Sequence, residues 1–293
     1  MDRLMPVGRT LFAVAMMGFG VLCLGFVNFV HQLQPIETLV PATTPGYGVL
    51  AILTGAFLMA AGVAIASNAT IRPATIALTV VFSAWIVLLQ VPSAFIEPSL
   101  LRSPWWVRTF ETVALTGAAL VLAGLASQPQ RERWVRIGRV LFGVSLPVFG
   151  VLHFIYAEGT ATLVPSMYPW PLAWIYITGA GNIAGGIAIA TGVLSRVAAI
   201  LAGIMYGTYA LTLHIPRALT VHGPNLFTGV PAELQSARGG LTSLFVAIGM
   251  CGAAWIVAGS LAARGSSAVQ DPKREARRSR DTAPGVIGSN IST

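Results

Sequence analysis

The chain has 293 residues, of which 55% are hydrophobic and only 10% are charged, and its mean hydropathy is +0.75. A soluble domain needs far more charge to cover its surface, so this composition excludes an ordinary soluble protein. The net charge of +8 does not indicate nucleic-acid binding, because the basic residues gather between long apolar runs.

Eight apolar runs follow one another along the chain, each about long enough to cross a bilayer as a helix. Backbone amides in lipid need partners within their own segment, so the runs are predicted to be helices rather than strands. The chain is therefore predicted to be an all-α polytopic membrane protein with eight transmembrane helices. In chain order the runs are Thr10–Val30, Gly48–Ser67, Ala74–Phe95, Trp106–Ala126, Val140–Tyr156, Pro171–Thr191, Val197–Leu213 and Leu241–Leu261.

The last four runs repeat features of the first four. The tripeptide LVP at 39–41 returns at 163–165, and TGA at 54–56 returns at 178–180. Because each half has an even number of helices, both should have the same orientation in the membrane. The sequence therefore predicts two parallel four-helix bundle repeats, residues 1–128 and 129–262. Further matches are Gly8 with Gly138, Arg9 with Arg139, Arg72 with Arg196, and Pro92 with Pro216.

Residues 263–293 differ in character from the rest of the chain. They are polar and basic and cannot bury enough apolar area to fold alone, so we expect a disordered cytoplasmic tail. Contact of its basic cluster, 273–280, with anionic lipid is an alternative to simple solvation.

Arginine and lysine are unevenly distributed between the two sides of the predicted membrane. Fourteen of the eighteen basic residues lie before the first run, after runs two, four and six, or in the tail. The positive-inside rule then places both termini in the cytoplasm of a multi-pass cell-membrane protein. The four basic residues on the opposite side are Arg102, Arg108, Arg217 and Arg238.

Small residues recur near helical spacing on the sixth run, a pattern typical of close helix packing in membranes. They are Gly179, Ala180, Gly181, Ala184, Gly185 and Ala188. The two cysteines, Cys23 and Cys251, fall inside predicted spans and are interpreted as packing residues rather than a disulfide.

Polar residues gather in the outer part of the predicted bundle. Asn28 and His31 end the first run and His153 and Tyr156 end the fifth, each pair at a spacing that puts it on one helix face. One interpretation is a pocket opening to the outer face. The other is a belt of interfacial anchors, the location that tyrosine and tryptophan favour. The candidate ligand-binding residues are His153, Tyr156, Tyr176, Asn182, Tyr206, Tyr209 and His214.

Tyrosine and histidine can donate hydrogen bonds to carbonyl oxygens, so such a pocket suits a quinone headgroup or another small amphiphile. Asn182 lies too deep to reach the interface, and an interhelical hydrogen bond is the favoured interpretation there. A haem between His153 and His214 is less favoured, because the first half has Asn28 and Gln90 at the corresponding positions. No metal-binding motif or enzymatic signature is found in the sequence, so an activity is not predicted.

The second half resembles a DoxX-like membrane protein. The resemblance is carried by Arg139, GVLHF at 150–154, the LVP…YPWP turn at 163–171 and GNIAGGIAIATGVLSRVAAI ending at Ile200. It covers about residues 8–262, with the first half more divergent. The resemblance implies a compact four-helix bundle in each half. It also implies a role linked to quinone-coupled sulfur oxidation or to membrane redox complexes. Relatives often have an acidic residue where this chain has Asn182, so a role that needs a carboxylate there is not expected.

The leading hypothesis is a subunit or accessory of a quinone-linked or sulfur-related membrane redox system. It would sit in the lipid bilayer, contact membrane or peripheral redox proteins and bind no nucleic acid. The alternatives are a small-solute channel or carrier and a non-catalytic assembly scaffold. Histidine can change protonation near neutral pH and amides cannot, so the second half is expected to carry the site and the first to support it.

Overall fold

The computed structural model describes residues 3–96, 103–127, 131–219 and 237–269, which form helices and connecting turns without a strand. Within those ranges eight helices are long and apolar enough to cross a membrane, as the sequence predicts. They are α1 (Leu4–Phe26), α2 (Tyr47–Ser67), α3 (Ile71–Ile96), α4 (Ser103–Leu125), α5 (Arg131–Ile155), α6 (Pro171–Thr191), α7 (Ser195–Leu219) and α8 (Ala237–Val269).

The end of α1 differs from the sequence prediction. The helix stops at Phe26 because Val27 adopts the left-handed conformation, with a φ of 49°, and its N–H bonds to the carbonyl of Cys23. A β-branched residue rarely takes a positive φ, so nothing local in the sequence signals this stop. Asn28 and His31 therefore lie in the turns after α1, and the prediction that they share a helix face is wrong. Tyr156 likewise lies just beyond the end of α5.

Two other helices are longer than predicted. The helix α5 begins at Arg131 rather than near Val140, so its arginines lie on its first turns instead of in a loop. Arginine is a good helix former, and its long side chain lets the charge reach the membrane surface. The helix α8 continues to Val269, so the first residues of the predicted disordered tail are helical. The rest of that tail, from residue 270, lies outside the described residues.

Helices adjacent in sequence pack against each other, and the chain closes on itself because α1 also packs along α8. The helices α4 and α8 contact each other and are the most buried of the eight. Both halves of the chain are thus joined along the α1–α8 and α4–α5 contacts. Cys23 and Cys251 are buried in this core and form no disulfide, in agreement with the sequence interpretation.

Glycine allows the helices that join the halves to approach closely. A β-carbon at Gly252 would lie 2.8 Å from the carbonyl oxygen of Gly8, where α8 meets α1. A β-carbon at Gly117 would lie 2.5 Å from the carbonyl oxygen of Gly138, where α4 meets α5. Neither contact leaves room for a side chain, so the same backbone-to-backbone packing occurs at both junctions.

The pair α1–α2 and the pair α5–α6 also have matching contacts. Arg9 donates to the Asn68 side chain at the end of α2, at 2.6 Å, and Asn68 has a φ of 61°. The guanidinium of Arg139 lies beside Gly192 at the end of α6, where φ is 93°. In each pair of helices, an arginine near the start of the first helix thus reaches the residue with a left-handed backbone conformation that ends the second helix.

The small residues of α6 do not all serve packing. Gly179 and Gly186 lie against α5, as expected of close helix contacts. Gly181 and Gly185 have open space beside them among the described residues. The predicted packing face is therefore only partly correct: spacing along the helix identified small residues but not the side on which α5 lies.

The helices α3 and α7 each contain one widened π-turn, at Ile86–Gln90 and Ala210–His214. In each, the N–H after the turn bonds to the carbonyl five residues earlier, Val91 to Ile86 and Ile215 to Ala210. A proline follows one residue later, Pro92 or Pro216. Proline lacks an N–H and collides with the carbonyl four residues before it, so a wider turn relieves the clash.

Candidate ligand site at the polar end

Histidine, tyrosine and amide side chains gather at one end of the bundle, which we call the polar end. Here α1, α3, α5 and α7 finish and α2, α4, α6 and α8 begin. The opposite end is called the arginine end, because Arg9, Arg72, Arg139 and Arg196 lie there. The predicted site residues belong to the polar end of the second half.

Asn182 and Tyr206 form the centre of this group. The Tyr206 hydroxyl donates to the Asn182 side-chain oxygen at 2.9 Å, and the Asn182 amide nitrogen donates to the carbonyl of Thr178 at 3.0 Å. Asn182 is 1% exposed and Tyr206 is 7% exposed. This is the interhelical hydrogen bond favoured for Asn182 by the sequence, and it joins α6 to α7.

Tyr209 and His214 lie further along α7. Tyr209 directly precedes the π-turn, and His214 is the last residue of that turn. The Tyr209 ring meets that of Tyr206 edge to face, with 5.9 Å between centroids, and its hydroxyl lies near the Thr178 side chain. Among the described residues, the Tyr209 hydroxyl and His214 Nδ1 are enclosed atoms without a hydrogen bond of ordinary geometry. Buried polar atoms are nearly always paired, so these two atoms are the candidates for contact with a ligand or water.

His153 approaches the same turn of α6 from α5. Its Nδ1 donates to the Phe149 carbonyl at 2.7 Å, and its β-carbon lies against Gly179. A neutral imidazole whose Nδ1 donates has Nε2 as an acceptor. His153 and Tyr209 therefore contact adjacent faces of α6, at Gly179 and Thr178.

Tyr156 and Tyr176 lie apart from this group, on the surface of the bundle. They are 39% and 45% exposed, and the Tyr176 ring stacks on Phe154 at 5.6 Å between centroids. Such exposed rings fit the alternative interpretation, an interfacial anchor belt. Of the seven predicted residues, the structure brings Asn182, Tyr206 and Tyr209 into direct contact.

A shallow cavity of about 640 Å³ also opens at the polar end of the second half. It lies between the turn after α5 and the start of α6, and none of the seven predicted residues lines it. Its walls are Glu158, Ala161, Thr162, Trp170, Pro171 and Leu172.

The first half contains a hydrogen-bonded network that the sequence analysis did not identify. Gln90, which ends the π-turn of α3, is fully buried. Its amide nitrogen donates to the Leu33 carbonyl at 3.2 Å and to the Thr112 hydroxyl at 3.1 Å, and its oxygen accepts from Thr109 at 3.0 Å. Gln90 thus ties α3 to α4 and to the segment after α1.

Ionisable groups surround this network. Arg108 on α4 bonds to His31 Nε2, and His31 Nδ1 lies 3.8 Å from the Glu37 carboxylate. Glu111, one turn after Arg108, accepts from the Gln32 amide at 2.8 Å. Arg108 and Glu111 lie within an apolar helix, and this was the sequence signal that could have identified the network, because ionisable residues within a span are costly and often functional.

Glu111 belongs to the network of the first half, whereas the hydrogen-bonded site residues of the second half lie on α6 and α7. Within the described residues, no group of three or more His, Cys, Asp or Glu side chains could hold a metal ion.

No family model, curated protein or solved structure was found to match the chain.

Proposed function

We propose that this eight-helix membrane protein binds a quinone-like amphiphile at the polar end of its second half. In this proposal it acts as a subunit or accessory of a quinone-linked or sulfur-related membrane redox system. The single observation that carries the proposal is a pair of enclosed polar atoms on α7, the Tyr209 hydroxyl and His214 Nδ1, which make no hydrogen bond of ordinary geometry with the described residues.

A quinone headgroup has the chemistry to satisfy these atoms. Its carbonyl oxygens accept hydrogen bonds and its ring is flat and apolar, while tyrosine and histidine provide donors and aromatic surfaces. The Tyr206 and Tyr209 rings already contact each other edge to face beside these positions. An apolar tail would remain in lipid next to the exposed aliphatic side chains of α7, such as Leu211.

The proposal includes a duplicated DoxX-like architecture, with two parallel four-helix repeats related by a twofold axis along the membrane normal. Support comes from features that occur twice: the two glycine junctions between the halves, and the π-turns that end at Gln90 in one half and at His214 in the other. The proposed location is the cell membrane, and the uneven distribution of arginine supports an orientation with the arginine end, and so both termini, in the cytoplasm.

The test is ligand binding to the purified protein. Titration with a short-chain quinone analogue should raise the melting temperature of the wild type, because a ligand that binds only the folded state stabilises it. Tyr209→Phe removes one hydroxyl donor and should weaken binding about 2- to 12-fold, the effect of one ordinary hydrogen bond. Tyr176→Phe is the matched control, since its hydroxyl is on the exposed surface, and should bind like the wild type.

A wild type whose melting temperature does not respond to quinone analogues, and which does not co-purify with quinone, would contradict the proposal. If Tyr209→Phe and Tyr176→Phe weaken the binding of the quinone analogue equally, the binding site is on the surface of the bundle and not beside Tyr209. Solute flux through reconstituted vesicles, lost in His153→Ala, would instead support the channel or carrier alternative.

A further inference from the structure

The turn that leads into α6 presents a tryptophan in a backbone conformation that costs free energy. Trp170 has a φ of 54°, in the left-handed region that bulky residues rarely adopt. Gly46 occupies the corresponding position of the first half, between the same LVP and TGA tripeptides, and has a φ of 86°. Glycine adopts this conformation without strain. The backbone at this position therefore favours glycine, so the reason for a tryptophan here lies in its side chain.

Contacts made by α6 fix the turn that precedes Trp170. The helix begins at the next residue, and one turn later the Trp174 indole N–H donates to the carbonyl of Pro169 at 3.0 Å. The Tyr168 ring packs edge to face on Trp174, with 5.8 Å between centroids. The side chain of Trp170 is nevertheless 78% exposed. The indole is thus displayed on the outside of the bundle rather than packed within it.

The Trp170 side chain forms one wall of the shallow cavity of about 640 Å³ at the polar end. Glu158, on the short helix Ala157–Ala161 after α5, forms another wall. Among the described residues that line the cavity, Glu158 is the one charged group, and it forms no ion pair with a described residue. The other walls are apolar except for the Thr162 hydroxyl, which donates to the Gly159 carbonyl at 2.7 Å. The cavity therefore combines one negative charge with an indole and apolar surface.

This combination suits an ammonium group. A carboxylate attracts its positive charge, and the face of an indole attracts a cation through the ring quadrupole. Glu158 and Trp170 lie between the spans of α5 and α6, at the level where lipid headgroups and tryptophan side chains meet. Leu172 of the cavity wall and Ile177, further along α6, are exposed apolar side chains beside which acyl chains would lie. A membrane lipid is therefore the source of ammonium that fits this position.

We propose that the cavity binds the headgroup of a zwitterionic phospholipid through its ammonium group, with Glu158 as the counter-ion and Trp170 as the aromatic contact. The cavity is a second site, separate from Tyr209 and His214, and it does not depend on the proposed function. An anionic phospholipid without an ammonium group would bring its phosphate against Glu158 and gain nothing from the indole. The site therefore discriminates between lipid headgroups.

The experiment measures the headgroup preference of the full-length protein by native mass spectrometry. Phosphatidylethanolamine or phosphatidylglycerol with identical acyl chains is added in detergent, and the wild type should bind phosphatidylethanolamine more tightly. Glu158→Gln keeps the size of the side chain but removes its charge and should lower phosphatidylethanolamine affinity about 2- to 5-fold, the effect of an exposed ion pair. Glu37→Gln, at the polar end of the first half, is the matched control and should keep the wild-type preference.

Trp170→Gly separates the role of the indole from the stability of the turn. It should lower phosphatidylethanolamine affinity about 2- to 30-fold, the effect of one cation–π contact. The melting temperature without added lipid should stay the same or rise, because the backbone strain is relieved. Met167→Ala removes another exposed apolar side chain of the same turn, one that does not line the cavity, and should leave the headgroup preference unchanged.

Three results would overturn the proposal. The first is equal binding of the two lipids by the wild type. The second is a wild-type headgroup preference in both Glu158→Gln and Trp170→Gly, which would reduce Trp170 to an interfacial anchor. The third is binding of phosphoethanolamine, the headgroup without acyl chains, as tightly as the lipid, which would identify a water-soluble ligand instead.

Discussion

Two buried glutamines show how differently the same residue type is used in this protein. Gln90 is fully buried and makes hydrogen bonds with a backbone carbonyl and two threonine hydroxyls. Gln34 is 1% exposed, and neither its side-chain nitrogen nor its oxygen has a hydrogen-bond partner among the described residues. A bonded buried amide stabilises the fold, whereas an unbonded one imposes a desolvation penalty.

Replacing each glutamine with methionine, of similar length, should separate these two cases. Gln90→Met leaves Thr109 and the Leu33 carbonyl without a partner and should lower the free energy of unfolding by about 2–4 kcal/mol. Gln34→Met removes only unpaired atoms and should be neutral or stabilising by about 1 kcal/mol. Unfolding by denaturing detergent in mixed micelles would measure both. A large loss of stability in Gln34→Met would mean that Gln34 has a partner in the membrane.

At the scale of a helix, the π-turn of α7 determines where the site residues point. One extra residue in a turn rotates everything beyond it by about 100° relative to a regular α-helix. Tyr209 precedes the π-turn and His214 ends it, so both can lie on the enclosed side of α7 only with this turn in place. Pro216, two residues later, provides the local physical cause.

Pro216→Ala restores an N–H and should let α7 become a regular helix, which turns His214 away from Tyr209. We expect quinone-analogue affinity to fall by an order of magnitude or more while the protein remains folded, as judged by circular dichroism. Pro73→Ala is the control: Pro73 lies in the first turn of α3, where a missing N–H breaks no helix hydrogen bond. Unchanged affinity in Pro216→Ala would show that the proline does not maintain the site.

At the scale of the whole molecule, close backbone contacts join the two halves, in addition to side-chain contacts such as that of Phe19 with Phe245. Gly252 of α8 meets Gly8 of α1, and Gly117 of α4 meets Gly138 of α5. Association in lipid depends on such close packing because apolar side chains gain little by leaving lipid for a neighbouring helix.

Gly252→Leu should therefore separate α8 from α1 and destabilise the protein by about 3 kcal/mol or more, since overpacking a close contact forces backbone shifts. The matched control is Gly181→Leu on α6, where a β-carbon would meet open space. That variant should retain the wild-type melting temperature in detergent. Similar melting temperatures for the two variants would show that the α1–α8 junction tolerates a large side chain.

The sequence by itself determined the number, type and approximate bounds of the eight membrane-spanning helices. Length and apolar content are local properties, and lipid leaves the backbone no alternative to internal hydrogen bonds. Asn182 was also recognised as an interhelical hydrogen-bonding residue, because an amide at that depth needs a partner. The sequence could not name Tyr206 as that partner, since many hydroxyl groups in other helices were available.

The tertiary structure decided which faces meet, and with them most of the candidate site. Helical spacing grouped Gly179 with Gly181, but only the position of α5 showed that Gly179 packs and Gly181 does not. The stop of α1 at Val27 depends on a left-handed backbone that a β-branched residue rarely adopts. Tyr206 became the partner of Asn182 for the same kind of reason: the packing of α6 against α7 brings the two side chains together.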